Sequence, residues 1–303
     1  MNHHGSILAL ALVSSIALYA QDDDVEGYLR TGTEPYRNEN YLKAAEYFQE
    51  AVNAAPRKAA AHLYLGTAYS MAYQTSPNAA GPAMARKAVA SFQSVLELAP
   101  GNTVALASIG SLAYAQAHQF DAVEPGRGAG LNDAKAWFEK AIAASPRDAV
   151  SLYFLAVIEA ELADLVRKPA MAKAGFDVYY DVHPIGSKAV RADLQARVAP
   201  LDRSALAHVT RALEIDPQFA DAMFCRGRLT ILLADLSDTA AEYKRQTRGV
   251  QALFDKALGI LKAGAEADTP THPALSSPDM RITPAIVLPS GPPPPPPPPP
   301  GPA

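Results

Sequence analysis

The sequence predicts an all-α solenoid of about five antiparallel helix pairs, followed by a disordered proline-rich tail. Four helical segments of the 303-residue chain each end at a proline, and each carries apolar residues twelve, eight and five positions before that proline. Spacings of four and three place these residues on one face of a helix, and the proline ends the helix. A second helical segment, with a small residue in fixed register, precedes each of the four.

The repeated positions follow one size rule in all four segments. The prolines are Pro56, Pro100, Pro146 and Pro217; twelve residues earlier stand Ala44, Ala88, Ala134 and Ala205; eight residues earlier stand Phe48, Phe92, Phe138 and Val209; five residues earlier stand Ala51, Val95, Ala141 and Ala212. The preceding helices carry Gly32, Gly66, Gly110 and Ala156, and Gly227 continues the series. Small residues let two helix backbones approach, and large apolar residues fill the space beside them.

With these residues in register, the chain resembles the tetratricopeptide repeat (TPR) family, whose unit is a 34-residue pair of antiparallel helices. The resemblance implies a solenoid over residues 28–268, with repeats at about 28–57, 58–101, 102–147, 148–218 and 219–262. The proline spacings exceed 34 residues, which predicts insertions around residues 75–84, 117–131 and 161–200. In the fifth repeat, Thr239 and Glu242 predict a capping box that starts the second helix.

The amino-terminal end has the pattern of a secretory signal peptide. Residues 6–20 are apolar and are followed at once by Gln21 and three aspartates, at 22–24. Fifteen apolar residues are fewer than the roughly 20 that a membrane-spanning helix needs. We therefore predict a signal peptide at 1–20 with cleavage after Ala20 or Ala17, an acidic lead at 21–27, and a periplasmic or secreted protein with no stable membrane span. A short amino-terminal anchor or a buried helix is the alternative.

The carboxyl-terminal segment 269–303 is rich in proline and includes an uninterrupted run from Pro292 to Pro300. Proline cannot continue a helix, and such a run favours polyproline II. This composition predicts a disordered tail. The tail is a spacer or a ligand for a proline-binding groove, or it has no dedicated partner.

Composition excludes several classes of function. The chain has 27 basic and 31 acidic residues, a net charge of −4, so no basic surplus indicates a nucleic-acid partner. Its single cysteine, Cys225, excludes an intramolecular disulfide and is interpreted as a small buried hydrophobe. The glycine-rich stretch 125–130 is interpreted as a loop before a helix that starts near Asn132, and not as a phosphate cradle.

Polar side chains that could support metal chemistry are few. Asp177, Asp181 and His183 lie in the longest insertion, and two carboxylates with an imidazole could hold a metal ion. Their spacing matches no metal motif, so a loop is the preferred interpretation and a metal-dependent enzyme the minor one. His118 and His208 have no evident catalytic partner in the sequence. We predict no cofactor, no metal site and no enzymatic activity.

The TPR resemblance implies that the first helix of each repeat lines a concave surface that binds segments of partner proteins. The positions carried over are Tyr36, Arg37, Tyr64, Tyr114, Tyr153, Phe154, Phe224 and Arg228. The resulting function is a non-enzymatic interaction scaffold or adaptor of the cell envelope. In the alternative, residues 161–200 or the tail fill the groove, and the solenoid acts through its outer face or its tail.

Overall fold

The computed structural model describes residues 24–75, 81–119, 125–175 and 184–266, and the regular secondary structure in these ranges is entirely helical. The described chain divides into two compact units, and the boundary between them falls within one helix, between Ile109 and Gly110. The all-α prediction is therefore confirmed. The predicted signal peptide, the proline-rich tail and the loop containing Asp177 lie outside the described residues.

The amino-terminal unit contains four helices and the first half of a fifth. They are α1 (24–37), α2 (Tyr41–Ala54), α3 (Ala59–Thr75), α4 (Gly81–Leu98) and α5 (Thr103–Ala117). Four residues join α2 to α3, a connection short enough to make neighbouring helices antiparallel. Helix α1 includes residues 24–27, which the sequence analysis assigned to the acidic lead. The helix extends this far because Val25 is fully buried in the core of the unit.

The carboxyl-terminal unit contains the second half of α5 and seven further helices. They are α6 (Pro125–Ala144), α7 (Ala149–Lys173), α8 (Lys188–Arg197), α9 (Ala199–Ile215), α10 (Ala220–Ala234), α11 (Ala240–Gln246) and α12 (Val250–Glu266). Helix α7 packs against α6 and α9, and α10 packs against α9 and α12. The first helices of the predicted repeats are thus α1, α3, α5, α7 and α10, and the second helices are α2, α4, α6, α9 and α12.

The helix ends match the proline positions. Helices α2, α4, α6 and α9 each end two residues before a predicted proline, at Ala54, Leu98, Ala144 and Ile215. The residue before a proline is disfavoured in the α conformation, so each helix stops one position earlier. The prediction that these prolines end the second helices is confirmed.

Close contacts between glycine and phenylalanine join the two helices of four repeats. A Cβ atom placed on Gly66 would lie 2.8 Å from the Phe92 ring, and one on Gly110 would lie 3.0 Å from the Phe138 ring. The pairs Gly32–Phe48 and Gly227–Phe254 leave even less room. The size rule in the sequence therefore reflects physical contact between the two helices of a repeat.

The described part of the longest insertion packs on the repeat that contains it. Helix α7 continues to Lys173, and α8 follows after the loop. Ile185, Leu194 and Val198 are buried in one cluster with Ala163 and Met171 of α7. The insertion therefore enlarges the core of the carboxyl-terminal unit.

Two local predictions were wrong. Helix α6 begins at Pro125 and not near Asn132, because proline is favoured at the first helical position and Gly130 fits closely against Ala117. Thr239 does accept a hydrogen bond from the Glu242 amide, at 3.1 Å, but it caps the short helix α11. The second helix of the fifth repeat, α12, starts separately at Val250, after Gly249 at φ 91°.

Candidate protein-interaction surface

Three of the predicted binding aromatics form the interior of the carboxyl-terminal unit. Tyr114 and Tyr153 are each 2% exposed, and Phe154 is fully buried. The Phe154 ring stacks on Phe138 with centroids 4.8 Å apart, and it meets the Tyr114 and Tyr153 rings edge-on at 5.9 and 5.8 Å. Such packing stabilises the unit through aromatic contacts. These side chains support the surface from inside, and their role in binding a partner remains a prediction.

The predicted residues of the amino-terminal unit are two buried tyrosines and one exposed arginine. Tyr36 is 7% exposed and packs edge-on against Tyr41, and Tyr64 is 5% exposed and packs edge-on against Phe48, both at 5.2 Å. Burial, together with neighbouring Tyr41, raises the pKa of Tyr36 to about 12. Arg37 is exposed at the end of α1. Of this group only Arg37 presents its side chain to solvent.

Glu161, in the middle of α7, is bonded by side chains from two other helices. The Tyr114 hydroxyl donates to Oε1, His118 Nε2 lies 3.0 Å from Oε2, and the Arg127 guanidinium lies 3.1 Å from the same oxygen. Burial alone would raise the pKa of the Glu161 carboxyl, but the hydrogen bonds from His118, Tyr114 and Arg127 hold it below its ordinary value. The carboxylate therefore stays ionised and joins α5 and α6 to α7.

Both ring nitrogens of His118 face oxygen acceptors. Nδ1 lies 2.8 Å from the Tyr114 carbonyl oxygen, and Nε2 faces the Glu161 carboxylate. Only the imidazolium can donate at both nitrogens. Burial lowers the pKa of His118, but the bonds to Glu161 and Tyr114 outweigh it and raise the pKa above its ordinary value.

A second carboxylate, Glu159, makes an equivalent set of bonds two residues earlier, on another side of α7. It is 2% exposed; Lys135 Nζ lies 2.9 Å from Oε1, the Ser204 hydroxyl donates to Oε1 at 3.0 Å, and His208 Nδ1 lies 2.9 Å from Oε2. Burial raises the pKa of this carboxyl, and the bonds from His208 and Lys135 reverse the shift and lower it. Glu159 therefore links α7 to α6 and α9.

The last part of α7 carries an ion-pair chain that reaches α10. Arg167 pairs with Asp164 on its own helix and with the fully buried Asp202 of α9. Arg228 of α10 donates to Asp164 Oδ2 at 2.6 Å, and Lys168 lies 3.6 Å from the same oxygen. Three cations thus surround two carboxylates. Lys168 is 47% exposed and Arg228 36%, so the surplus positive charge lies at the surface.

The exposed side of α10 carries a row of three half-buried side chains. Phe224, Arg228 and Leu232 are spaced four residues apart, so they lie on one face of the helix. Phe224 and Arg228 are two of the eight predicted positions. Aromatic residues and arginine are enriched in protein interfaces, and Leu232 adds apolar surface beside them. We call these three residues the α10 row.

The sequence analysis missed the partners of two histidines. The sequence showed no catalytic partner for His118 or His208 and did not reveal their ion pairs. His118 contacts Glu161, 43 residues later, and His208 contacts Glu159, 49 residues earlier. The signal available in the sequence was the set of charged residues in the otherwise apolar helix 150–167. Buried charges must be paired, so their partners had to come from neighbouring helices.

Other candidate chemistry receives less support. Cys225 is 2% exposed, and burial raises the pKa of its thiol to about 12, as expected of a packed hydrophobe. Within the described ranges, no three metal-ligating side chains come together. Asp177, Asp181 and His183 are outside those ranges. No described helix is both long and apolar enough to cross a membrane.

Comparison with known proteins shows similarity in fold. No family model matches the chain, and no curated protein matches it. The structure is similar to MamA 41-end from Desulfovibrio magneticus RS-1, at 14% identity and a TM-score of 0.48, covering 80% of this chain and 97% of that one. It is also similar to YrrB, described as a TPR protein with an unusual peptide-binding site, at 14% identity and a TM-score of 0.43, covering 81% and 97%.

A third similar structure is PilW, described as a widely conserved type IV pilus biogenesis factor. It is 18% identical, with a TM-score of 0.41, and the match covers 80% of this chain and 89% of that one. Because these identities and TM-scores are low, the evidence for the helix-pair fold of the chain is the set of glycine–phenylalanine contacts and helix ends described above.

Proposed function

We propose that the chain is a non-enzymatic protein-interaction scaffold of the cell envelope that binds segments of partner proteins along the first helices of its repeats. The observation that carries this proposal is the α10 row. Phe224 and Leu232 offer half-buried apolar side chains. Arg228 between them carries a planar guanidinium whose N–H groups donate hydrogen bonds in fixed directions. An extended segment with apolar side chains and an oxygen acceptor between them fits this row.

The packing beneath the row supports a binding role because it limits motion. Arg228 is held by Asp164, and Asp164 is held in turn by Arg167, which also pairs with Asp202. A side chain that is already ordered loses little entropy when a partner binds, and the smaller entropy loss makes binding tighter. The row is therefore suited to binding without rearrangement of the helices.

The eight predicted positions take different roles in this proposal. Arg37, Phe224 and Arg228 are the proposed contact residues, since their side chains reach the surface. The buried aromatics described above set the positions of the helices beneath the contact residues. Residues 1–20 supply export, which places the scaffold in the periplasm or outside the cell.

Affinity capture with two arginine variants tests the proposal. Arg226 and Arg228 lie two residues apart on α10, so they point to different sides, and Arg226 is exposed. Purified chain is immobilised, incubated with envelope extract of the source organism, and the captured proteins are quantified by mass spectrometry. Arg228→Ala should reduce capture of a specific partner at least about tenfold, a loss of roughly 1.4 kcal/mol or more, as for an interface hot spot.

Arg226→Ala is the matched control and should leave capture unchanged. Equal loss in both variants, or no partner that depends on Arg228, would contradict the proposed surface.

A further inference from the structure

The last glycine–phenylalanine pair differs from the other three in its exposure. Phe48, Phe92 and Phe138 are 0% exposed, whereas Phe254 on α12 is only half-buried. All four rings pack against the glycine of the first helix in their own repeat. The difference therefore arises on the other side of the ring.

In earlier repeats, that other side is covered by the first helix of the next repeat. The Phe48 ring meets Tyr64 of α3 at 5.2 Å, and the Phe138 ring stacks on Phe154 of α7 at 4.8 Å. Phe254 contacts Phe224 of its own repeat at 5.6 Å, and no helix follows α12 in the described part of the chain. Among the described residues, α12 therefore lacks the helix that covers the ring in those two repeats.

The uncovered surface extends along α12. Leu258 and Leu261 follow Phe254 at four and seven residues, so the three side chains form one apolar stripe. Leu258 is 46% exposed, and Leu261 is half-buried because it packs in part against the cluster of Ala220, Met223 and Ala257. We call Phe254, Leu258 and Leu261 the α12 stripe. An apolar stripe of this kind is a binding surface when a complementary segment is available.

The chain itself supplies such a segment. Beyond Glu266 the large aliphatic side chains concentrate in residues 280–287, with sequence MRITPAIV. The thirteen residues between can span up to about 43 Å, while the helix from Phe254 to Glu266 is only about 18 Å long. A tethered segment also has an effective concentration in the millimolar range, which favours it over a second copy of the chain.

We propose that residues 280–287 bind the α12 stripe and take the place of the missing helix. Pro284 excludes a helical cover, so the segment binds in an extended form, with Ile282, Ile286 and Val287 as its apolar contacts. The proline run that starts at Pro292 is then held close to α12. This inference does not require a partner on the α10 row, although Phe254 of the stripe contacts Phe224 of the row.

A photo-crosslinking experiment on the full chain tests this inference. The photoreactive residue p-benzoyl-phenylalanine replaces Leu258, and the purified protein is irradiated at low micromolar concentration. We expect an adduct within one molecule, mapped by mass spectrometry to residues 280–287. Aspartate loses the apolar area that each aliphatic side chain would bury, so Ile286→Asp with Val287→Asp should reduce the adduct at least about tenfold.

The control introduces the same charges outside the apolar segment, as Ser276→Asp with Ser277→Asp, and should keep the adduct yield within about twofold, because serine has no apolar side chain to lose. Neither variant changes a described helix, so the fluorescence of Trp137 should be the same in both. An adduct to a second copy or to any other segment, the absence of an adduct, or equal yields in both variants would overturn the inference.

Discussion

Replacing Glu161 by glutamine tests whether the charges on α7 hold the carboxyl-terminal unit together. The substitution keeps the shape of the side chain and removes the charge that Tyr114, His118 and Arg127 share. The glutamine oxygen can still accept a hydrogen bond from Tyr114, but the amide nitrogen then faces His118 and Arg127. His118 and Arg127 lose the carboxylate with which each pairs among the described residues.

The size of the effect follows from burial. Breaking a fully buried ion pair costs about 3–5 kcal/mol. His118 and Arg127 are 19% and 20% exposed, so both recover part of their hydration when the charge is removed. We therefore expect Glu161→Gln to lower the free energy of unfolding by about 2–3 kcal/mol.

The effect depends on pH with a definite sign. The folded-state pKa of His118 is raised above 6.5, so its contribution is complete below pH 6.5 and is lost as pH rises through that raised pKa. The folded-state pKa of Glu161 is lowered below 4.5, so its contribution is complete above pH 4.5 and is lost as pH falls through that lowered pKa. The destabilisation by Glu161→Gln should be greatest between about pH 4.5 and 6.5.

Urea unfolding measured at pH 5.5 and pH 8 is the assay. The only tryptophan, Trp137, lies on α6, so its fluorescence reports on the carboxyl-terminal unit. Glu139→Gln is the control, because Glu139 is 57% exposed and its removal should cost less than about 1 kcal/mol. A Glu161→Gln effect no larger than that of the control, or an effect larger at pH 8 than at pH 5.5, would refute the reasoning.

Three further predictions concern packing, the thiol and export. Gly66→Ala should destabilise the amino-terminal unit by about 1–3 kcal/mol in thermal unfolding, because its Cβ would crowd Phe92, while Gly101→Ala, with nothing within 4 Å, should not. Equal destabilisation by the two substitutions would show that close packing of Gly66 against Phe92 does not stabilise the unit. Cys225 should resist a thiol reagent in the folded protein and react fully in urea, and fast reaction without urea would contradict its burial. Amino-terminal sequencing of the mature protein should begin at Gln21 or three residues earlier, and an intact first methionine would disprove cleavage.

The repeat architecture was predictable because its cause is local. The size rule that pairs Gly66 with Phe92 and Gly110 with Phe138 can be read from spacing, and the structure shows those pairs in contact. Helix ends were predictable for the same reason, since proline acts on its immediate neighbours.

The site was harder to predict because its contacts join distant parts of the chain. Tyr114 was selected as a surface residue, yet it lies inside the unit, where its hydroxyl donates a hydrogen bond to Glu161, 47 residues away. The start of α6 at Pro125 was also missed, since glycine disfavours helix locally and the stabilising contacts of Arg127 are tertiary. Arg228 was the one predicted charge that proved both paired and half-exposed.

Photo-crosslinking from the α10 row tests the central claim most directly. The photoreactive residue p-benzoyl-phenylalanine replaces Leu232 in the row or, as the control, exposed Glu214 on α9. The proteins are irradiated in envelope extract, and the adducts are identified by mass spectrometry. The account predicts an adduct with one other protein from Leu232 that disappears with Arg228→Ala and is absent from Glu214. The same adducts from both positions, or none from Leu232, would contradict it.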